Sequence, residues 1–205
     1  MENAFILGCS HSAGADVPNG LNKSYAASFA RLFNFNPINL SITGGSNDAM
    51  FRIFSEYVAL DKIKDTDIII ACWTGTTRTE TVHNELWSPI VVGHQQSPIE
   101  NYIKQWSIYD SDSTRWRLNK IKNIVALNEL ATRLGLRVIN FDSFHKIPNS
   151  LAYDSTVYNW PCAQDSFVDW CVERQFEHSE TFHFYENAHW EYANYAYDLW
   201  QKQTS

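Results

Sequence analysis

Apolar residues fall along this chain in short continuous runs that alternate with longer stretches of helical spacing. The first run, Ala4-Phe5-Ile6-Leu7, has the length and composition of a buried strand, and Gly8 ends it. A small polar run, Ser10-His11-Ser12-Ala13-Gly14, follows before helix-like sequence begins near Leu21. Residues 23–33 then carry Tyr25, Ala26, Phe29, Ala30, Leu32 and Phe33 at helical intervals. Pro37 precedes a second strand, 38–42, ended by Gly44-Gly45. Residues 48–60 read as a helix that Ser46 or Asn47 can cap. The strongest strand is 67–73, whose unbroken apolar run implies burial on both faces, as in a parallel sheet. Thr74-Gly75-Thr76-Thr77 closes it.

Residues 81–113 break this rhythm with Trp87, Pro89, Pro98, Trp106 and a polar Asp110-Ser111-Asp112-Ser113 cluster. They are expected to form an excursion over the ends of the sheet, with one helix near 99–109. The rhythm then returns with a long helix over 114–134, capped by Ser113 and stopped by Gly135. A fourth strand spans 136–141, 148–161 is irregular, and helices cover 167–174 and 187–201. Strands separated by helices predict an α/β protein, a three-layer α/β/α sandwich with a mainly parallel central sheet. At 205 residues the chain is expected to form one domain over 1–205.

Composition narrows the function classes. Hydrophobic residues make up 44% and aromatic residues 15%, which is globular rather than disordered. The net charge of -7 and the absence of any Lys/Arg-rich run weigh against nucleic acid as the main partner. No apolar segment has the length of a membrane span, and no charged leader precedes one, so a cytoplasmic site is expected. Cys9, Cys72, Cys162 and Cys171 show no CxxC spacing and read as reduced thiols.

The loops carry the chemistry. On adjacent parallel strands, Ser10, the Gly44-Gly45-Ser46-Asn47 turn and the Thr74 to Arg78 segment would meet at one edge of the sheet, where open α/β sheets bind ligands. Ser10, flanked by Gly8 and Gly14, is well placed as a nucleophile, but it has no base nearby in sequence. Candidates stand at the far end, in Glu180-Thr181-Phe182-His183 and Glu186-Asn187-Ala188-His189. A serine, a base, an acid that orients it and donors for an oxyanion are the parts of serine hydrolysis.

These blocks resemble the SGNH (GDSL-type) hydrolases. Gly8-Cys9-Ser10-His11-Ser12-Ala13-Gly14 follows their first block, with Cys9 in place of the aspartate. Asn39-Leu40-Ser41-Ile42-Thr43-Gly44 matches the second and implies that the Gly44 N–H serves an oxyanion hole together with that of Ser10. In the third block the family's asparagine is missing; Thr76 occupies its position and Arg78 is a substitute donor. The last block is an acid three residues before a histidine, which two registers satisfy, Glu180 with His183 and Glu186 with His189. The first is preferred, because its base precedes the terminal helix and is free to reach Ser10. The resemblance implies a flavodoxin-like fold and a serine esterase that needs no metal or cofactor. Its substrate would be an acyl or acetyl ester on a carbohydrate or small lipid-like molecule. The layout of Gly44-Gly45-Ser46-Asn47-Asp48 with Trp73-Thr74, Arg78 and Glu80 also resembles hydrolase-like proteins encoded by bacteriophages.

Plainer readings compete. Ser10 suits a simple turn. His178, His183 and His189 with Glu177, Glu180 and Glu186 are possible zinc ligands, although their spacings do not repeat on one helical face. The glycine turn before a helix suits phosphate, but no lysine accompanies it. Arg78 and Glu80 read equally as a surface pair, and His11 as a pocket lining. Trp73, Trp170 and Trp200 read as core, whereas Trp87, Trp106 and Trp116 are available for sugar contact. The main rival to an enzyme is a weak or inactive binding or assembly protein on the same fold, favoured by Cys9 and Thr76.

Overall fold

The computed structural model describes residues 1–75, 78–83, 86–91, 113–144 and 165–204. Four parallel strands form the central sheet: β1 (Asn3–Leu7), β2 (Asn36–Asn39), β3 (Ile68–Trp73) and β6 (Arg137–Asp142), in the order β2-β1-β3-β6. Every residue of β3 is buried, as its continuous apolar run requires of a central strand. Alternate side chains go to opposite faces. Ala4, Ile6, Ile68, Ile70 and Cys72 enter one core, and Phe5, Leu7, Ile69, Ala71 and Trp73 enter the other.

Helices close both cores and make the third layer. The first core is covered by α3 (Tyr25–Leu32), α6 (Phe167–Glu173) and α7 (Glu186–Thr204), and the second by α4 (Asn47–Ala59) and α5 (Ser113–Arg133). The predicted three-layer sandwich is therefore the observed one. No helix among the described residues is long and apolar enough to cross a membrane.

Several boundaries differ for identifiable reasons. The helix expected over 23–33 is α3, which starts at Tyr25 after a separate turn, α2 (Gly20–Lys23), because Ser24 is extended (φ -62°, ψ 157°) and its hydroxyl accepts from the Ala27 N–H. Pro37 lies inside β2, not before it. At the edge of the described sheet, where it pairs with β1, β2 tolerates the missing donor. Residues after Ser10 are not a plain loop but one helical turn, α1 (Ser10–Ala13). Part of the expected excursion is an antiparallel hairpin, β4 (Arg78–His83) with β5 (Leu86–Val91). Arg52 of α4 holds it, its guanidinium clasping both oxygens of Glu80 at 2.9 and 3.0 Å and lying 4.7 Å from the centre of the Trp87 ring. Glu80 is thus the partner of Arg52 and not of Arg78. The helix expected near 99–109, the irregular stretch 148–161 and Cys162 lie outside the described residues. Cys9, Cys72 and Cys171 are free and buried.

Candidate active site

The parallel order of β1, β2 and β3 brings the segments that follow them to one edge. After β1, Gly8 and Cys9 lead into α1, and Ser10 is its first residue, 3% exposed. The Ser12 hydroxyl donates to the Cys9 carbonyl at 2.9 Å and fastens this turn. Gly14 then reverses the chain at φ 67°, in the left-handed region, where its missing Cβ would lie 2.5 Å from the Gly20 carbonyl. Asn39, at the end of β2, ties the second loop to the first: its Nδ2 reaches the carbonyls of Ser12 at 2.8 Å and Leu21 at 3.0 Å.

Gly44 lies in the loop after β2 at φ 77°. Among the described residues, the N–H groups of Ser10 and Gly44 donate to no acceptor. The loop after β3 is anchored by Asn47, whose side chain accepts from the Thr74 N–H at 3.0 Å and donates to its carbonyl at 3.4 Å. Thr76 lies outside the described residues. Arg78, two residues further, sets its guanidinium 4.7 Å from the centre of the Phe144 ring.

The late histidines separate clearly. His183 sits on a tight turn in which the Ser179 N–H donates to the His183 carbonyl, Phe182 adopts φ 62°, and His178 bridges to Phe184. The turn delivers the ring to the start of the chain. His183 Nδ1 lies 3.1 Å from Asp16 Oδ2 and 3.0 Å from Thr181 Oγ1, and its ring centre is 5.1 Å from that of His11. Glu180, the acid expected from the spacing, is exposed, and the carboxylate against the ring is Asp16. Asp16 also accepts from the hydroxyls of Ser179 and Thr181. These hydrogen bonds, that of Thr181 first, hold its carboxyl down at about 2. A carboxylate at Nδ1 keeps the proton on that nitrogen and leaves Nε2 as the basic atom.

His189 does something else. It is buried, its Nδ1 accepts from the Tyr25 N–H at 3.1 Å, and its ring stacks on Phe167 at 4.7 Å. Burial lowers its pKa to about 3, against the raising effect of its hydrogen bond to the Phe184 backbone. Glu186 of the same register pairs with Lys23 at 2.9 Å. That register is a packing element of the first core. The ring of His178 sets its Nδ1 2.9 Å from the Ser179 carbonyl.

His11, beside Ser10, is 2% exposed and ringed by Phe144, Phe167, Phe184 and His183. Burial first, and then the neighbouring His183, His189 and Arg78, lower its pKa, so it stays neutral. Among the tryptophans, Trp73 and Trp170 are buried as expected, and Trp200 packs beside Phe33. Trp87 is half exposed. Trp106 and the side chain of Trp116 lie outside the described residues. The residue that sequence reasoning missed is Asp16. Its only local signal is an acid on the tight turn just after Ser10.

No family model matches the chain, and no curated protein matches it. Solved structures do resemble it over nearly its whole length. A member of the lipolytic protein G-D-S-L family from Veillonella parvula superposes with a TM-score of 0.61 at 16% identity, covering 98% of this chain and 100% of the other. The psychrotrophic esterase EstA from Pseudoalteromonas sp., inhibited by monoethylphosphonate, gives 0.56 at 13% identity, covering 100% and 99%. An acetyl xylan esterase, Est2A, from Butyrivibrio proteoclasticus gives 0.53 at 11% identity, covering 99% of this chain and 64% of its own. The chain has the fold of the G-D-S-L lipolytic proteins.

Proposed function

We propose that this protein is a serine esterase that removes an acyl or acetyl group from a carbohydrate or small lipid-like ester. The observation that carries this reading is the Asp16–His183 contact. It brings an oriented imidazole from the end of the chain to the turn that begins with Ser10. In the proposed reaction Ser10 Oγ attacks the ester carbonyl while His183 Nε2 takes its proton, with Asp16 holding Nδ1–H. The free N–H groups of Ser10 and Gly44 receive the oxyanion, with Thr76 as a further donor. The tetrahedral species collapses, the alcohol leaves with the proton from His183, and an acyl-Ser10 ester remains. Water, deprotonated by the same imidazole, then releases the acid and restores Ser10. The esterases and the acetyl xylan esterase that share the fold support this substrate class by likeness.

A second reading, a binding or assembly protein on the same fold, is favoured by one observation. Among the described residues, no hydrogen bond joins Ser10 Oγ to His183 or His189. Treatment with a fluorophosphonate, followed by peptide mass spectrometry, separates the two. The esterase reading expects an adduct on Ser10 that disappears in His183→Ala and persists in His189→Asn. A folded protein that takes no adduct and turns over no 4-nitrophenyl ester supports the binder.

A further inference from the structure

At the crevice the Arg78 guanidinium lies over the Phe144 ring, and no carboxylate among the described residues pairs with it. Arg78 opens β4, directly after the loop that closes β3, and its Nη1 is buried without an acceptor among the described residues. Among the described residues, carboxylates close to it in sequence or at this edge are engaged elsewhere: Glu80 with Arg52, Asp16 with His183, and Asp142 with Lys120 at 2.6 Å. Buried charge without a partner is costly, so proteins pair it or hydrogen-bond it.

Arg78 is not alone in this. The Phe144 ring beneath its guanidinium also meets His11, centre to centre at 4.8 Å, and His11 Nδ1 is likewise buried and unpartnered. Thr74 Oγ1 and Ser41 Oγ share that condition, and of the described buried side-chain atoms that lack partners only Trp170 Nε1 lies away from this edge. Since buried polar groups are nearly always satisfied, such a concentration at the edge that carries Ser10 marks a place that a polar ligand completes. The sign of that ligand follows from the residues. A permanent cation and a neutral imidazole await it, and no free carboxylate among the described residues opposes it. The planar fork of a guanidinium fits a carboxylate best.

We propose that Arg78, with His11 beside it, forms a subsite for a carboxylate carried by the ester, so that an anionic ester is the preferred substrate. This rests on the esterase reading and names its substrate class. Because His11 follows Ser10 directly, that carboxylate lies within a few bonds of the reacting carbonyl.

Matched ester pairs that differ in charge and little else test it. On the acyl side these are 4-nitrophenyl hemiglutarate and 4-nitrophenyl glutaramate; on the alcohol side, 4-acetoxybenzoate and 4-acetoxybenzamide, all corrected for spontaneous hydrolysis. The wild-type protein should favour the charged member of one pair by about tenfold or more in kcat/KM, as one charge-assisted hydrogen bond provides. Arg78→Gln should abolish that ratio, and Arg78→Lys should keep part of it. Should Arg78→Gln fail to fold, competitive inhibition of the wild type by glutarate and not by glutaramide supports the subsite, and equal inhibition overturns it. Equal rates within both pairs overturn it. So does an Arg78→Gln protein in which both members fall in step, which would assign the guanidinium to the oxyanion. No turnover of any ester, with Ser10 unlabelled by fluorophosphonate, overturns the esterase reading and the subsite with it.

Discussion

Asp16 Oδ2 lies 3.1 Å from His183 Nδ1, a contact between residues 167 positions apart. The same carboxylate takes the hydroxyls of Ser179 and Thr181, so it fixes both the ring and the turn that carries it. Asp16→Asn should therefore lower kcat for a 4-nitrophenyl ester about 100-fold or more with KM little changed, the signature of a lost orienting group. Glu180→Gln, on the exposed side of the turn, should stay within about twofold of wild type by the same reasoning. Asp16→Glu should recover part of the loss. Because hydrogen bonding holds the Asp16 carboxyl at about 2, the acid limb of the kcat profile should not belong to this group. Equal losses in Asp16→Asn and Glu180→Gln would remove Asp16 from this role.

The strands of the central sheet and most helices could be read from the sequence because burial on two faces leaves a continuous apolar run, as in Ile68 to Trp73, and burial on one face leaves a helical period. Ser24 was not legible as a break. A single polar residue within an amphipathic helix reads as its solvent face, and only the extended backbone shows it as a cap. The hairpin of β4 and β5 was missed for a related reason: Thr79-Glu80-Thr81 lacks an apolar face, and Pro89 argues against a strand. The placement of Ser10 and Gly44 was legible because they lie in the loops that follow β1 and β2, which topology brings to one edge. The carboxylate beside His183 was not. A spacing rule selects Glu180, but the Ser179-to-His183 turn leaves Glu180 exposed, and the contacting carboxylate comes from a distant loop that no local pattern links to His183.

Stability should fall with acid through His189. Neutral in the folded protein down to about pH 3, it takes up a proton near its ordinary 6.5 when unfolded. Between those values the unfolded chain binds more protons, so stability rises with pH across the window and is lost as pH drops from about 6.5 toward 3. Protonating Nδ1 would also remove the acceptor of the Tyr25 N–H. His11 acts in the same direction. Each histidine should contribute up to about 1.4 kcal/mol per pH unit. Urea midpoints measured from pH 7 to 4 should show this slope, and His189→Asn, which keeps an acceptor but does not titrate, should reduce it. An unchanged slope would place the titration elsewhere.

A buried ion pair fixes the end of β6. Lys120 Nζ lies 2.6 Å from Asp142 Oδ1, with both side chains almost wholly enclosed. The following residue, Ser143, shares a 2.8 Å hydrogen bond with the Tyr25 hydroxyl, so the pair sits where the last strand turns toward the site. Removing one member leaves a buried charge behind. Lys120→Met should cost about 3–5 kcal/mol in denaturant unfolding, and Lys120→Met with Asp142→Asn should cost less than Lys120→Met alone. A double variant as unstable as the sum of its parts would mean that the two charges do not compensate one another.

Asn47 is where helix stability and site geometry meet. As the first residue of α4 it is buried, and its side chain satisfies both the N–H and the carbonyl of Thr74. Thr74 begins the segment that leads to Thr76 and Arg78, so this amide fixes one wall of the crevice from a helix that is itself capped by Ser46. Asn47→Ala strands two buried backbone groups and should cost about 2–4 kcal/mol. The released loop should also lower kcat/KM, although Asn47 touches no reacting atom. Asn47→Asp keeps the acceptor for the Thr74 N–H but sets an oxygen against its carbonyl, so it should melt below wild type as well. Thermal melts paired with ester kinetics check both effects. A variant that loses stability and keeps full activity below its melting point would show that Thr74 holds its place without this amide.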